Sequence, residues 1–263
     1  MISGSVGRGT DDRWSDVEVD VYYDRPPTEA ERIAAAEASG GMLVGLTADD
    51  VEWEEQLSFD GFQAHTSTFL VATMERYLGA VVDSYSVDGM AQSRVFSVLN
   101  GMPVKGREDV DRWRARATPY PEELRRAMLA EHLRFDRFRY MARMLTERDD
   151  VLLLNDLFVE VGGRLICALL GLNGIYLPTP AYTRRRVKSM DETIDLMAVK
   201  PAGLSPRLKQ VFRAPPAEGL TALEELIDET LVLVERHAPG FDTGPCRASP
   251  PEARRPWDEP PRL

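Results

Sequence analysis

Only two cysteines and three histidines occur in 263 residues, and that scarcity narrows the chemistry. Cys167 lies in an apolar helical run and Cys246 in a proline-rich tail, so neither a disulfide framework nor a zinc-binding spacing can be drawn from them. A reducing, cytoplasmic setting is expected. Long hydrophobic runs are also missing: every apolar stretch is broken by Asn, Gly or charge, and Met1-Ile2-Ser3-Gly4 leads into polar sequence. Neither a membrane span nor a signal peptide is expected. Positive charge is in deficit, with 32 Lys and Arg against 43 Asp and Glu, a formal net charge of −11. An acidic surface repels a phosphate backbone, so nucleic acid is not an expected partner. What remains, 43% hydrophobic and 29% charged residues, is the composition of a globular chain long enough for two domains.

Val17, Val19, Val21 and Tyr23 alternate with Asp16, Glu18, Asp20 and Tyr22, which predicts a strand with one apolar and one acidic face. Pro26-Pro27-Thr28 opens a helix, with Thr28 as N-cap and Glu31 three residues on, and Gly40-Gly41 ends it. Strands are predicted over 42–46 and, after the hairpin signal Asp60-Gly61, over 62–69. The acidic stretch 49–55 reads as a loop. From Leu70 the period becomes helical, with Met74, Tyr77, Leu78 and Val81 on one face, and 87–99 reads as a further helix, with a strand the second reading. Beyond Pro121, helices are predicted over 121–148, 151–172, 179–199, 204–213 and 219–237; the residues after Pro239 read as disordered. The expected fold class is α+β. A small mixed β-sheet domain spans 1–100, a helical bundle 101–238, and a disordered tail 239–263.

Gly4-Ser5-Val6-Gly7-Arg8-Gly9 forms a glycine-rich turn that lets the backbone approach a phosphate closely, and Ser5 adds a hydroxyl. It is not a Walker loop, since no Lys-Ser or Lys-Thr follows. It is not a dinucleotide fingerprint either, since Thr10-Asp11-Asp12-Arg13-Trp14 is no apolar helix. Asp16 and Glu18 stand two apart on a strand and so share a face. Such a pair can hold magnesium, which takes one or two carboxylates plus substrate phosphates. On its own the pair reads as a solvated strand face.

Taken together, Gly4-Ser5, ten intervening residues and Ser15-Asp16-Val17-Glu18-Val19 resemble the nucleotidyltransferase superfamily, which includes aminoglycoside and lincosamide nucleotidyltransferases. The resemblance implies that Gly4 and Ser5 bind nucleotide phosphates and that Asp16 and Glu18 ligate magnesium, one ion or two. It also implies that ATP or another nucleoside triphosphate donates a nucleoside monophosphate, AMP foremost, to a hydroxyl of a small-molecule acceptor. Arg8 matches a basic position of that turn, where it contacts phosphate or is a plain surface charge. Tyr120-Pro121-Glu122-Glu123-Leu124 and Leu172-Asn173-Gly174-Ile175-Tyr176-Leu177-Pro178 resemble landmarks of the helical half in such proteins; helix capping and packing are their ordinary reading.

Two departures stand out. The family takes a third carboxylate from a later strand, here 62–68, which contains no acid. The position falls on His65 or, second, on Gln63. His65 is open to three roles: a base toward the acceptor hydroxyl, a metal ligand, or the mark of a site that has lost part of its chemistry. Asp20 shares the acidic face but lies roughly 13 Å along the strand from Asp16, and a solvated role is expected for it. The second departure is that only three residues precede Gly4, where the family carries a helix. The true start then lies upstream, or the fold dispenses with that helix.

Other candidates read as structural. His132 is expected at the surface, His237 at a helix C-terminus that favours a cation, and Trp14 and Trp53 in core or hairpin packing, with lining of a pocket the second reading. Asp156 and Glu160 are candidate bases without a selecting spacing, and Arg184-Arg185-Arg186 with Lys188 reads as a solvated basic face. Two other functions stay open: a catalytically impaired nucleotide-binding regulator, and an adenylyltransferase acting on protein or RNA. The oligomeric state, a homodimer included, is not legible.

Overall fold

The computed structural model of the chain describes residues 1–135, 138–179 and 190–247. It divides into two compact units, Met1–Pro121 with Tyr176–Pro180, and Glu122–Ile175 with Ala181–Leu263. The fold class is α+β, a mixed sheet early in the chain with helices after it.

In the first unit five strands, β1 (Ile2–Ser3), β2 (Val17–Tyr23), β3 (Met42–Ala48), β4 (Glu52–Phe59) and β5 (Phe62–Leu70), lie in the order β1-β2-β5-β4-β3. β2 and β5 are parallel and the other neighbours antiparallel. A parallel pair needs a crossover, and the chain between them supplies it through α2 (Glu29–Ala38), β3 and β4. α2 begins as expected: the Thr28 hydroxyl accepts from the Glu31 amide, and the Glu31 carboxylate accepts from the Thr28 amide. Its Ala36 meets Leu57 and Ala64, with Val17, Leu43 and Phe59 around them, so the apolar face of β2 is the face that α2 covers. Arg32 of α2 is 7% exposed, ion-paired with Glu55 and donating to the carbonyls of Thr47 and Glu54. A buried charge so satisfied ties the helix to the sheet.

The stretch 49–55 is not all loop, because β4 begins at Glu52. The hairpin decides it. Asp60 and Gly61 both have positive φ, 51° and 89°, the twist a tight hairpin turn requires, and such a turn needs a strand on each side. Phe59 accordingly pairs with Phe62. Alternation then leaves Glu52 and Glu54 on the face away from α2, while Glu55 meets Arg32.

That second face carries α3 (Val71–Leu78), a π-helical turn (Gly79–Asp83), α4 (Gly89–Asn100) and α5 (Arg107–Ala117). α4 is the helix expected over 87–99, capped by the Asp88 carboxylate on the Ala91 amide at 2.8 Å. No helix was legible at α5, which buries only Val110, Trp113 and Ala117. Tyr22 meets the Trp113 ring edge-on at 4.9 Å and the Phe69 ring at 6.0 Å, which is where α5 touches the sheet. The first unit therefore runs on to Pro121.

In the second unit α8 (Val151–Leu172) is buried on every side from Leu165 onward, where its sequence is apolar throughout. α6 (Glu122–His132), α7 (Phe138–Glu147), α10 (Leu204–Arg213) and α11 (Pro216–His237) pack on it. The single helix expected over 121–148 is two. No Gly or Pro marks the break; Leu133, Phe135 and Phe138 are all buried there, and turning the chain brings all three inward. Of the helix expected over 179–199, α9 (Met190–Asp195) is helical and stops at Asp195, short of 199; 180–189 lie outside the described residues. The first residues of the expected tail are ordered: α12 (Gly244–Arg247) is tied to α11 through Thr243 and Arg247 on Glu235. The residues after 247 and the Arg184-to-Lys188 cluster lie outside the described residues. Among the described residues no helix is long and apolar enough to cross a membrane.

Candidate functional site

The glycine-rich stretch resolves into a strand-to-helix turn: α1 (Gly4–Arg8) follows β1 directly and ends on Gly9. Gly4 has φ 64°, a conformation that favours glycine. A Cβ on Gly7 would lie 2.4 Å from the Ile2 carbonyl oxygen, so the chain can turn this tightly only without one. The antiparallel register pairs Ile2 with Val19 and Ser3 with Glu18. Continuing it brings the Gly4-Ser5 step to the end of β2 where Asp16 stands. Ser5 is buried, and Arg8 lies with its guanidinium 5.9 Å from the centre of the Phe96 ring.

Asp16 and Glu18 share the face of β2 turned away from α2. Glu18 is paired directly with His65 across the parallel β2–β5 ladder, and His65 Nε2 lies 3.5 Å from Asp16 Oδ2. These side chains are about one-third exposed, 33% for His65 and 36% for Asp16, so both remain reachable from solvent. Gln63, the second candidate for the third position, is exposed and paired with Ser58. His65 thus lies within ion-pair range of Asp16 and across the ladder from Glu18, at the end of β2 where the β1 pairing stops at Ser3.

Carboxylate oxygens are the donor type magnesium takes, with water and phosphate oxygens completing its shell. The imidazole opposite them is a nitrogen donor and does not extend that oxygen set. Among the described residues no group of three or more His, Cys, Asp or Glu forms a metal-binding cluster.

One register step further, the structure differs from expectation. Asp20 is 2% exposed, not solvated, because α4 covers its end of β2. Ser97 of α4 donates to Asp20 Oδ2 at 2.8 Å. Burial raises the Asp20 pKa above the ordinary carboxylate range, with Arg94 and Ser97 opposing. Glu52 is raised in the same way by burial, against Arg94, whose Nη2 donates to it at 2.7 Å. Arg94 also lies over the Phe69 ring at 4.3 Å. In the sequence Glu52 and Glu54 read as loop acids because their strand reads as a loop. The signal was the alternation of Trp53, Leu57 and Phe59 ahead of the Asp60-Gly61 turn.

Elsewhere, His132 is half-buried with Nε2 lacking a partner, not at the surface, and burial lowers its pKa to about 4. Trp14 is 80% exposed rather than packed, whereas Trp53 is half-buried within β4. The Cys167 thiol is pushed up to about 12 by burial, which suits an inert core thiol. Asp156 and Glu160 are exposed on α8, Glu160 paired with Arg164. Asn173 caps α8 and exchanges hydrogen bonds with the Val199 backbone; Tyr176 donates to the Ala117 carbonyl and stacks near Tyr120. These are capping and packing roles.

A family model described as a domain of unknown function, DUF4037, matches residues 89–182, a span that excludes Gly4, Ser5, Asp16, Glu18 and His65. No curated protein matches the chain. Among solved structures the chain is similar to a nucleotidyltransferase-like protein from Exiguobacterium sibiricum 255-15, with 13% identity and a TM-score of 0.39, over 85% of this chain and 65% of that one. The chain thus spans less than two thirds of that protein's length.

Proposed function

We propose that the protein is a magnesium-dependent nucleotidyltransferase that moves a nucleoside monophosphate, AMP from ATP, to a hydroxyl of a small molecule. One observation carries this reading: Asp16 and Glu18 share a strand face, and the β1–β2 register brings the Gly4-Ser5 turn to the same strand end. In it, the two carboxylates hold the cation, the turn's backbone amides and Ser5 hold the phosphates, and Arg8 adds charge beside them. Magnesium supplies charge neutralisation on the phosphates and the departing pyrophosphate. The protein's share is to align the acceptor hydroxyl with the phosphoryl group to be transferred.

His65 favours a second reading, a nucleotide-binding regulator with impaired chemistry, because an imidazole faces Glu18 where the resemblance calls for a carboxylate. Pyrophosphate release from ATP and magnesium, measured across a panel of hydroxylated acceptors, separates the two. Under the enzyme reading, release depends on acceptor and Asp16→Asn lowers it on the order of 100-fold or more. Under the regulatory reading, nucleotide binds and no acceptor elicits release. His65→Asp raises turnover if the imidazole impairs the site and lowers it if the imidazole takes part.

A further inference from the structure

Trp14 is the most exposed large apolar side chain of the acidic end of the sheet, at 80%. Indole is usually buried for most of its area, and nothing in the first unit covers it here. Its backbone is nevertheless pinned. Asp12 Oδ1 accepts from the Trp14 amide at 2.8 Å, the Ser15 hydroxyl accepts from the Asp12 amide at 2.9 Å, and the Ser15 amide donates to the Asp12 carbonyl at 3.0 Å. The other end of the loop is held by the Thr10 amide on the Ser5 carbonyl at 3.0 Å. A hydrogen-bonded loop thus presents a solvated indole. Arg13 lies over the ring, its guanidinium carbon 4.9 Å from the centroid, which occupies one face and leaves the other open. Two residues of chain put the Trp14 Cα within roughly 7 Å of that of Asp16.

We infer that Trp14 is a specificity-determining residue whose open indole face stacks on the nucleobase of the bound triphosphate; this rests on the nucleotidyltransferase reading of Asp16 and Glu18. Stacking on an indole recognises any flat base and adds no charge requirement. The Arg13 guanidinium on the opposite face holds the ring in place and adds positive potential beside an acidic site. Trp14 therefore discriminates a base-bearing triphosphate from a bare polyphosphate, whereas Asp16 and Glu18 act on the phosphates of both.

The test uses full-length protein, wild type and the variants Trp14→Ala, Trp14→Phe and Asp16→Asn, with ATP and inorganic tripolyphosphate as probes in the presence of magnesium. Calorimetry gives the dissociation constants, and emission lost in Trp14→Phe isolates the Trp14 signal from the other three tryptophans. The expected result is quenching of the Trp14 signal by ATP. ATP affinity should weaken on the order of 10-fold in Trp14→Ala and be largely restored in Trp14→Phe, while tripolyphosphate binding stays equal in wild type and both Trp14 variants. Equal ATP affinity in wild type and Trp14→Ala overturns the stacking role. If Asp16→Asn still weakens ATP binding in that case, the functional reading survives without it. Failure of the wild type to bind ATP overturns both.

Discussion

His132 closes α6 with its Nε2 buried and unpartnered, and its pKa falls from 6.5 to about 4, chiefly by burial, with Arg164 adding and Glu131 opposing. The neutral ring is the form that the folded protein favours. As pH falls below 6.5, the unfolded chain takes up a proton before the folded one does. Stability from this residue is therefore complete above that value and is lost on the way down to about pH 4. The loss is at most about 3 kcal/mol. Urea denaturation at about pH 7.5 and about pH 4.5 should show it, and His132→Gln should flatten that part of the profile. Asp20 shows the same physics with the other sign, its raised pKa reflecting the penalty of holding a carboxylate beneath α4. Residue identity alone gave no warning in either case: Asp is mostly exposed and His is intermediate in burial.

α2 is held by two devices of unequal strength. The Thr28–Glu31 capping box closes its first turn, and Thr28→Ala is expected to cost about 1 kcal/mol, with Thr28→Ser close to neutral. The buried Arg32–Glu55 pair binds the helix to β4. Glu55→Ala leaves Arg32 buried without its counter-ion and is expected to cost about 3–5 kcal/mol. Thermal or urea unfolding of both variants should rank them in that order, and comparable losses would refute the tie assigned to the pair. The capping box was legible because it lies within four consecutive residues. The ion pair was not, since its partners are 23 residues apart and meet only once β3 and β4 have folded over α2. Likewise α8 and α10 were bounded correctly from local pattern. α6 and α7 were not separated, because nothing local breaks the chain between them and the burial of Leu133, Phe135 and Phe138 does.

Across the molecule, the residues proposed for chemistry and those that maintain the fold are largely different sets, Ser5 being proposed for phosphate and yet buried. Asp16, His65 and Trp14 are solvent-reachable, while Arg32, Glu55, Asp20 and the α8 core are buried. Asp16→Asn and Trp14→Ala are therefore expected to stay within about 0.5 kcal/mol of wild type in unfolding experiments. Loss of nucleotide binding or turnover in them would then report on the site. A large destabilisation in either variant would assign that residue to the fold instead.

By itself the sequence determined the pieces that depend on near neighbours: the two-residue alternation of β2, the cap of α2, the Asp60-Gly61 turn, and the spacing from Gly4-Ser5 to Asp16 and Glu18. Tertiary structure alone decided that His65 stands against Asp16 and Glu18, that β4 carries two further glutamates on the same sheet face, and that α4 buries Asp20. Periodicity and turn chemistry act over a few bonds and are written into any short window. Strand partnership and burial depend on which distant segments close on one another, and no short window contains both partners.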